Sequence, residues 1–495
     1  YGLMRERLDQ ASKRIHDVPT PQSFASFMSS NWANTPLTDL GTAPAAELCK
    51  ARRKVLSDAF KGVRVVIPSG EDKVRSNDTY YLYRPNSAYV YYTGVQGVEA
   101  NPDACLILEP NGDSHDEILF IMPRSTRDSD AFYRDARYGE LWVGRRFTTE
   151  EAQERYQIPT RSVTELSDFL SNKRLSALIR DEDTKLDALI DKSEKDEELK
   201  IFTSEQRLIK DAYEIDQLQK SVDASIKGFE DVVRNFKKAV ATDRGERVVE
   251  GTFYARARLE GNGIGYNTIA AAGKHACHLH WERNDGPVND GELILLDAGV
   301  ELDSFYTADV TRTLPINGKF TDAQRALYTL TLKAQQAGID AVKPGVTFAE
   351  INNACFEVLA KGIMEMGVLK CTLEEAMAPE NTYYRRWTLH GVSHMLGLDV
   401  HDCAARRRCG RALVTVLRAR TKPCAASWTG RCSVTSRAIQ RCAVGGCAHT
   451  AMTSVVTAAI ASATAASCST SRPPRAGSSA RGSSRTGRPR PRSRS

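Results

Sequence analysis

No aspartate or glutamate occurs after Asp402, and the 93 residues that follow carry 18 arginines and lysines. That break limits which part of the chain can build a fold. The segment 403–495 is rich in Ala, Ser, Thr, Arg, Gly and Cys, and 481–495 holds almost nothing apolar. Such a composition buries too little surface to offset the entropy of ordering the chain. A disordered or non-native basic, low-complexity tail is expected. It reads first as the product of a shifted reading frame in a GC-rich gene, whose wrong-frame codons spell Arg, Ala, Gly, Pro, Ser and Cys. The competing reading is a genuine basic tail that contacts nucleic acid or membrane.

Setting the tail aside reverses the charge. The whole chain is formally +6, yet residues 1–402 hold 50 basic against 62 acidic side chains. An acidic body argues against a nucleic-acid function for the folded part. Apolar residues at 41% and charged residues at 26% are ordinary for a globular protein. No stretch is long and apolar enough to span a bilayer; the nearest, 451–468, is mostly Ala, Thr and Ser. The first thirty residues carry Arg5, Arg7, Asp9 and Lys13 without an apolar run, so no secretory signal is legible as written. Cys49, Cys105, Cys277, Cys355 and Cys371 lack metal-like spacing and read as thiols of a reducing compartment.

The chain divides into four regions. Residues 1–36 are polar with several prolines and form an N-terminal extension. From 37 to 200, candidate strands at 63–67, 105–108 and 118–122 beside a helical segment at 45–60 suggest an α/β unit. Its end, 181–200, is a charged run read as a solvated helix or linker. From 201 to 402, apolar residues from Leu208 to Phe236 advance in steps of three or four, as in one long amphipathic helix. Two further helices open with capping boxes, Thr321 with Gln324 and Thr347 with Glu350. Strand signals at 292–297 and 310–314 lie between, which makes this part α+β. The tail, 403–495, is the fourth.

Six of the nine histidines fall between His275 and His401, in the same region as two aspartates in strand-like surroundings. Leu295-Leu296-Asp297-Ala298-Gly299 is an apolar strand ending in a carboxylate, and Asp309 comes after it in Thr307-Ala308-Asp309-Val310-Thr311. A turn near 302–304 would fold the two as a hairpin with the carboxylates side by side. Taken singly, such an aspartate is more often a turn former or cap. His390, His394 and His401 share a glycine-rich stretch, 390–402, whose spacing brings three imidazoles near one region while leaving helix, strand and loop all open. His280, in 278–284, offers a fourth imidazole, with a surface loop as the alternative.

The motifs LLDAG, TADVTRTLP, HLHWERN and HGVSHMLGLDVHD together resemble the aminopeptidase P family, a proline-specific branch of the pita-bread metallopeptidases. The stretch YLYRPNSAYVYYTG resembles that family's N-terminal domain. The resemblance covers about 37–402 and implies a pita-bread catalytic domain preceded by a smaller α/β domain. It implies Asp297, Asp309 and His394 as ligands of two divalent ions, manganese by the family pattern, and His280, His390 and His401 as catalytic histidines that position substrate or move protons. Hard ions favour carboxylates plus an imidazole, and a close pair can activate water against the carbonyl before proline. The implied substrates are peptides with proline second, and the implied setting is a cytoplasmic homo-oligomer without a membrane.

The family also uses two glutamates on strands downstream of the histidine-rich motif. No glutamate follows Glu380. Weak metal binding and little or no peptidase activity are therefore expected of the chain as written. Prolidase, which accepts only dipeptides, is the nearest alternative, and a non-catalytic pita-bread binding protein is the alternative from another class. Creatinase, a non-metal relative, has no need of the aspartate pair.

Overall fold

A computed structural model describes residues 21–33, 35–37, 40–343 and 345–403. The expected tail from 404 onward and residues 1–20 of the expected extension lie outside the described residues. The described part of the extension holds a short helix, Gln22–Met28, and packs on the first domain, where Trp32 meets Phe132 edge-on at 5.0 Å.

A mixed five-stranded sheet organises that domain. The central strand β1 (Arg64–Pro68) is buried along its whole length. It pairs antiparallel with β2 (Cys105–Asn111), which continues through a tight turn into β3 (Ser114–Ile121). Two short strands, β4 (Thr160–Ser162) beside β3 and β5 (Ser176–Leu178) beside β1, pair in parallel and complete the order β4-β3-β2-β1-β5. Side chains alternate between faces, as the strand period requires. Val65 and Ile67 join Leu56 and Phe60 from helix α1 (Ala46–Ala59) and its end, whereas Val66 joins Cys105, Ile107 and Phe120 on the opposite side. Helix α2 (Ser87–Thr93), N-capped by Asn86, lies over the first of these faces and is buried throughout.

The charged run expected to end this domain is more ordered than a linker. It forms helix α3 (Glu194–Gln206), opened by a Ser193–Asp196 capping box, and its Leu199 sits in the N-terminal core. Residue 200 falls inside this helix, and the chain turns at 207–211 before the next begins.

Helix α4 (Ala212–Val240) starts only at Ala212, because Asp211 and Glu214 form a capping box there. Its inner stripe contains Val222, Ile226, Phe229 and Phe236, all buried, while Ile215 and Val233 remain partly exposed. Helix α5 (Gly245–Glu260) packs against it, with Phe229 and Phe253 edge to face at 5.8 Å. Gly228 permits that approach, since a Cβ there would lie 2.7 Å from the Phe253 ring. Both helices cover an antiparallel sheet of β6 (Ile269–Ala272), β7 (Leu293–Ala298) and β8 (Val310–Pro315), in the order β8-β7-β6. Helices α6 (Asp322–Ala341) and α7 (Phe348–Glu365) open with the two expected capping boxes and form a separate core around Leu330, Ile351 and Leu359.

Phe305 and Tyr306, at the tip of the β7–β8 connection, are buried in the N-terminal core together with Leu398. The histidine-bearing segment and the aspartate hairpin are thus both anchored against the first domain. All six described cysteines are free thiols. Among the described residues, no helix is long and apolar enough to cross a membrane.

Candidate metal centre

Strand register brings the aspartates together. Asp297 faces Thr311 and Ala298 faces Val310 across the β7–β8 ladder, so Asp297 and Asp309 project from the same face of adjacent strands. The turn comes at 302–306, where Phe305 N–H donates to the Leu302 carbonyl and Phe305 adopts a left-handed φ of 64°. The Tyr266 hydroxyl lies between the carboxylates, 2.5 Å from Asp297 Oδ1 and 2.8 Å from Asp309 Oδ1. A phenol has one proton and can serve only one of these contacts at a time. The other requires a proton on a carboxyl group or a cation in the site. Burial, and next the Asp309 carboxylate, push the Asp297 carboxyl up to about 7. Burial and the same two carboxylates hold the Tyr266 phenol well above its usual range.

The segment 388–403 is neither helix nor strand, apart from one bridge between Met395 and Asp402. Its shape comes from long-range contacts. Asp402 is buried and accepts from Arg207 Nε at 3.0 Å and Lys210 Nζ at 2.8 Å. Burial works against the Asp402 anion, but Arg207 and Lys210 outweigh it and hold the carboxyl below the usual range. Asp399 accepts from Ser87, the Leu398 carbonyl accepts from Arg84, and Thr307 N–H donates to the Gly397 carbonyl. These contacts fold the loop back over the hairpin.

His394 Nδ1 lies 2.8 Å from the Met395 carbonyl, which can only accept, so Nδ1 carries the hydrogen. That fixes the ring with Nε2 directed at Asp309 Oδ2, 3.0 Å away. Burial disfavours the His394 cation, but the hydrogen bond to Asp309 outweighs it and the pKa is raised. His401 stands edge-on to His394 with ring centroids 4.4 Å apart. Burial, and next the neighbouring His394, lower its pKa.

A third segment, 273–286, supplies His280 and is organised by Glu246 of α5. This fully buried carboxylate accepts from Ala272 N and lies 2.8 Å from His275 Nδ1 at one oxygen; it accepts from Trp281 Nε1 and Gly286 N at the other. Trp281 stacks on His275 at 3.9 Å.

Asp297, Asp309, His394, His280, His390 and His401 all line one cavity of about 190 Å³. Ile269, Leu279 and Val400 give it apolar walls, and Glu282 reaches its rim while engaged by Asn267. Every residue singled out in the sequence is therefore present at one place. Donor atoms of Asp309, His394 and His401 lie within 4.8 Å of one another and could hold a metal ion. The donor set fits a divalent cation: two buried carboxylates share one phenol proton, and an oriented imidazole nitrogen points at them. Tyr266, Glu246, Arg207 and Lys210 were not legible as site residues, because each lies far in sequence from the groups it touches and none sits in a distinctive motif.

The description "Metallopeptidase family M24" matches residues 216–420, and "Aminopeptidase P, N-terminal domain" matches residues 49–178. Xaa-Pro aminopeptidase 1 of Streptomyces coelicolor is 49% identical over 388 residues, which cover 78% of this chain and 77% of that protein. The chain belongs to the aminopeptidase P family. Xaa-Pro aminopeptidase of Escherichia coli is a more distant member, 28% identical over 384 residues, covering 72% of this chain and 81% of that protein. Among solved structures, zinc-substituted E. coli aminopeptidase P in complex with product superposes with a TM-score of 0.62 at 27% identity, covering 72% of this chain and 81% of that one. The same enzyme with the inhibitor Pro-Leu gives the same TM-score, identity and coverage. Membership makes this chain a metallopeptidase by descent, with the two-domain architecture implied by the resemblance.

Proposed function

We propose that the cavity is the active site of a metal-dependent exopeptidase that releases the residue preceding proline from the N-terminus of peptides. One observation carries the reading: Asp297, Asp309 and His394 come from a hairpin and a distant loop, yet meet at one cavity with His280, His390 and His401 around them. The activity in the relatives' names is carried over as part of this proposal, as are manganese, a cytoplasmic location and homo-oligomeric assembly.

Asp297, Asp309 and His394 would hold the metal. When bound, a divalent metal polarises a scissile carbonyl and acidifies a water molecule. The chain's own groups do the rest. His401, with its lowered pKa, is neutral near pH 7 and suited to accept a proton. His390 Nδ1–H donates to the Gly391 carbonyl, which leaves Nε2 as an acceptor, and His280 lines the same cavity from the third segment. Ile269, Leu279 and Val400 offer the apolar surface a proline ring needs. A shaped pocket of this kind replaces the strand-like grip that proline, lacking an N–H, denies to other proteases.

Turnover is expected to be weak, because the two downstream glutamates implied by the resemblance have no counterpart after Glu380. The test is N-terminal residue release from an Xaa-Pro-(Xaa)n length series with added divalent ions, using His394→Ala as the control. Slow, metal-dependent release from tripeptides and longer substrates supports the proposal, and cleavage of dipeptides alone would point to prolidase. A metal-loaded chain that cleaves none of the series favours the reading as a non-catalytic binding protein, to which the loss of acidic residues beyond Asp402 lends its only support.

A further inference from the structure

We infer that a second cavity, at the boundary between the two domains, binds a small zwitterion: a free amino acid or a short peptide with both termini open. It measures about 600 Å³, inside the roughly 300–1,000 Å³ range of small-molecule sites. It shares no lining residue with the metal cavity, and the inference does not depend on the metallopeptidase reading.

Four pieces of chain wall the cavity. They are the carboxyl end of β5 with residues 179–182, the start of α2, one face of α3, and Asp399 of the histidine-bearing loop. Strands β1 and β5 run parallel, with Val66 beside Leu178, so both end on this side. Loops diverge beyond the carboxyl ends of parallel strands, and ligands of open α/β sheets lodge in the gap. Ser204 is the independent sign that this cavity holds something. It is only 4% exposed, and its hydroxyl has no hydrogen-bond partner among the described residues, whereas its neighbour Thr203 donates to the Lys200 carbonyl. Buried hydroxyls are nearly always satisfied, and Ser204 lines the cavity, where a ligand atom can reach it.

Charge decides the ligand class. Five carboxylates and four cationic side chains line the cavity, so neither a polyanion nor a polycation suits it. Most of these groups are already engaged: Arg84 donates to Glu301, Arg180 to Asp196 and Arg207 to Asp402. Lys200, Glu197 and Asp181 are exposed, and none of the three has an ion-pair partner among the described residues. One ammonium and two carboxylates thus remain open. A ligand that carries both a carboxylate and an ammonium complements them. Leu178, Ile179 and Pro85 add apolar wall for a side chain. Both products of the proposed reaction, an amino acid and a proline-led peptide, belong to this class.

The experiment uses the full chain, stripped with a chelator and titrated by calorimetry with L-leucine and with the dipeptide Pro-Leu, while amide hydrogen exchange locates the contact. Acetate and butylamine, which carry one charge each, are the controls. One equivalent of zwitterion is expected, with protection at 178–182 and 194–204. Each control should bind about tenfold more weakly or worse, as the loss of a hydrogen bond to a charged group implies. Lys200→Glu and Glu197→Lys, both at exposed positions of α3, should weaken binding to the same degree, and His394→Ala should leave it unchanged. Tighter binding of L-leucine marks the occupant as a free amino acid, and tighter binding of Pro-Leu marks it as a peptide. The inference is overturned if neither zwitterion binds or protects these segments, if acetate or butylamine binds as tightly, or if Lys200→Glu changes nothing. Binding that His394→Ala abolishes belongs to the metal cavity and also overturns it, while the metallopeptidase reading stands. Failure of that reading shows separately, as the absence of metal-dependent peptide release.

Discussion

Glu246→Gln removes one charge and turns one acceptor of a fully buried carboxylate into a donor. In one orientation the new amide faces Trp281 Nε1–H and Gly286 N–H, two obligatory donors. In the other it faces Ala272 N–H and His275 Nδ1, and the histidine can switch tautomer to accept. The cheaper orientation therefore leaves one buried backbone N–H without an acceptor, at about 1–3 kcal/mol. Losing the charge on the remaining bonds adds roughly 1 kcal/mol, since bonds to ionised groups are about twice as strong as neutral ones. A total of about 2–4 kcal/mol corresponds to a melting temperature lowered by roughly 4–16 °C for a domain of this size. The assay is thermal unfolding followed by Trp fluorescence, which also reports the Trp281–His275 stack. A melting shift below about 1 °C with unchanged fluorescence would refute the view that Glu246 orders the segment carrying His280.

Arg207→Met should destabilise the chain by about 2–3 kcal/mol, somewhat less than the loss of a fully isolated buried pair, because Lys210 remains on Asp402; adding Asp402→Asn should recover part of that in urea unfolding. The metal-free chain should lose thermal stability as pH rises from about 4 to about 7, because the Asp297 carboxyl is raised on folding from 3.8 to about 7 and prefers its protonated form. His394, also raised, contributes in the same direction, and a saturating divalent ion should reverse the trend by replacing the protons. Tyr266→Phe removes the hydroxyl between the aspartates, so the metal-free variant should fall further below the parent at pH 8 than at pH 5.5, and a pH-independent difference would contradict the shared-proton account. Gly397→Ala would drive a Cβ into Asp402 Oδ2 and Lys210 Nζ, and a destabilisation of about 1–3 kcal/mol by thermal melting is expected.

The hairpin was legible because both of its signals are local. An apolar strand ends at Asp297, a second begins near Asp309, and a short turn leaves one register that pairs them. Capping boxes at Thr321 and Thr347 were legible for the same reason, since the side chain and the N–H it satisfies are three residues apart. The 390–402 segment was not legible as a conformation. Its shape depends on Arg84, Ser87, Arg207 and Lys210, which lie roughly two hundred to three hundred residues away. The run 181–200 was legible as a solvated helix, since 194–200 is helical and mostly exposed, but the burial of Leu199 in the N-terminal core was not.

Sequence by itself singled out Asp297, Asp309 and His394 as candidate donors, because carboxylates and an imidazole stand there in recognisable local patterns. Tertiary structure decided the arrangement of those donors. It placed the Tyr266 hydroxyl between two carboxylates, turned His394 Nε2 onto Asp309, and stood His401 edge-on to His394 in the same cavity. Such choices arise from burial and from hydrogen bonds between residues far apart in the chain, and no local pattern encodes them.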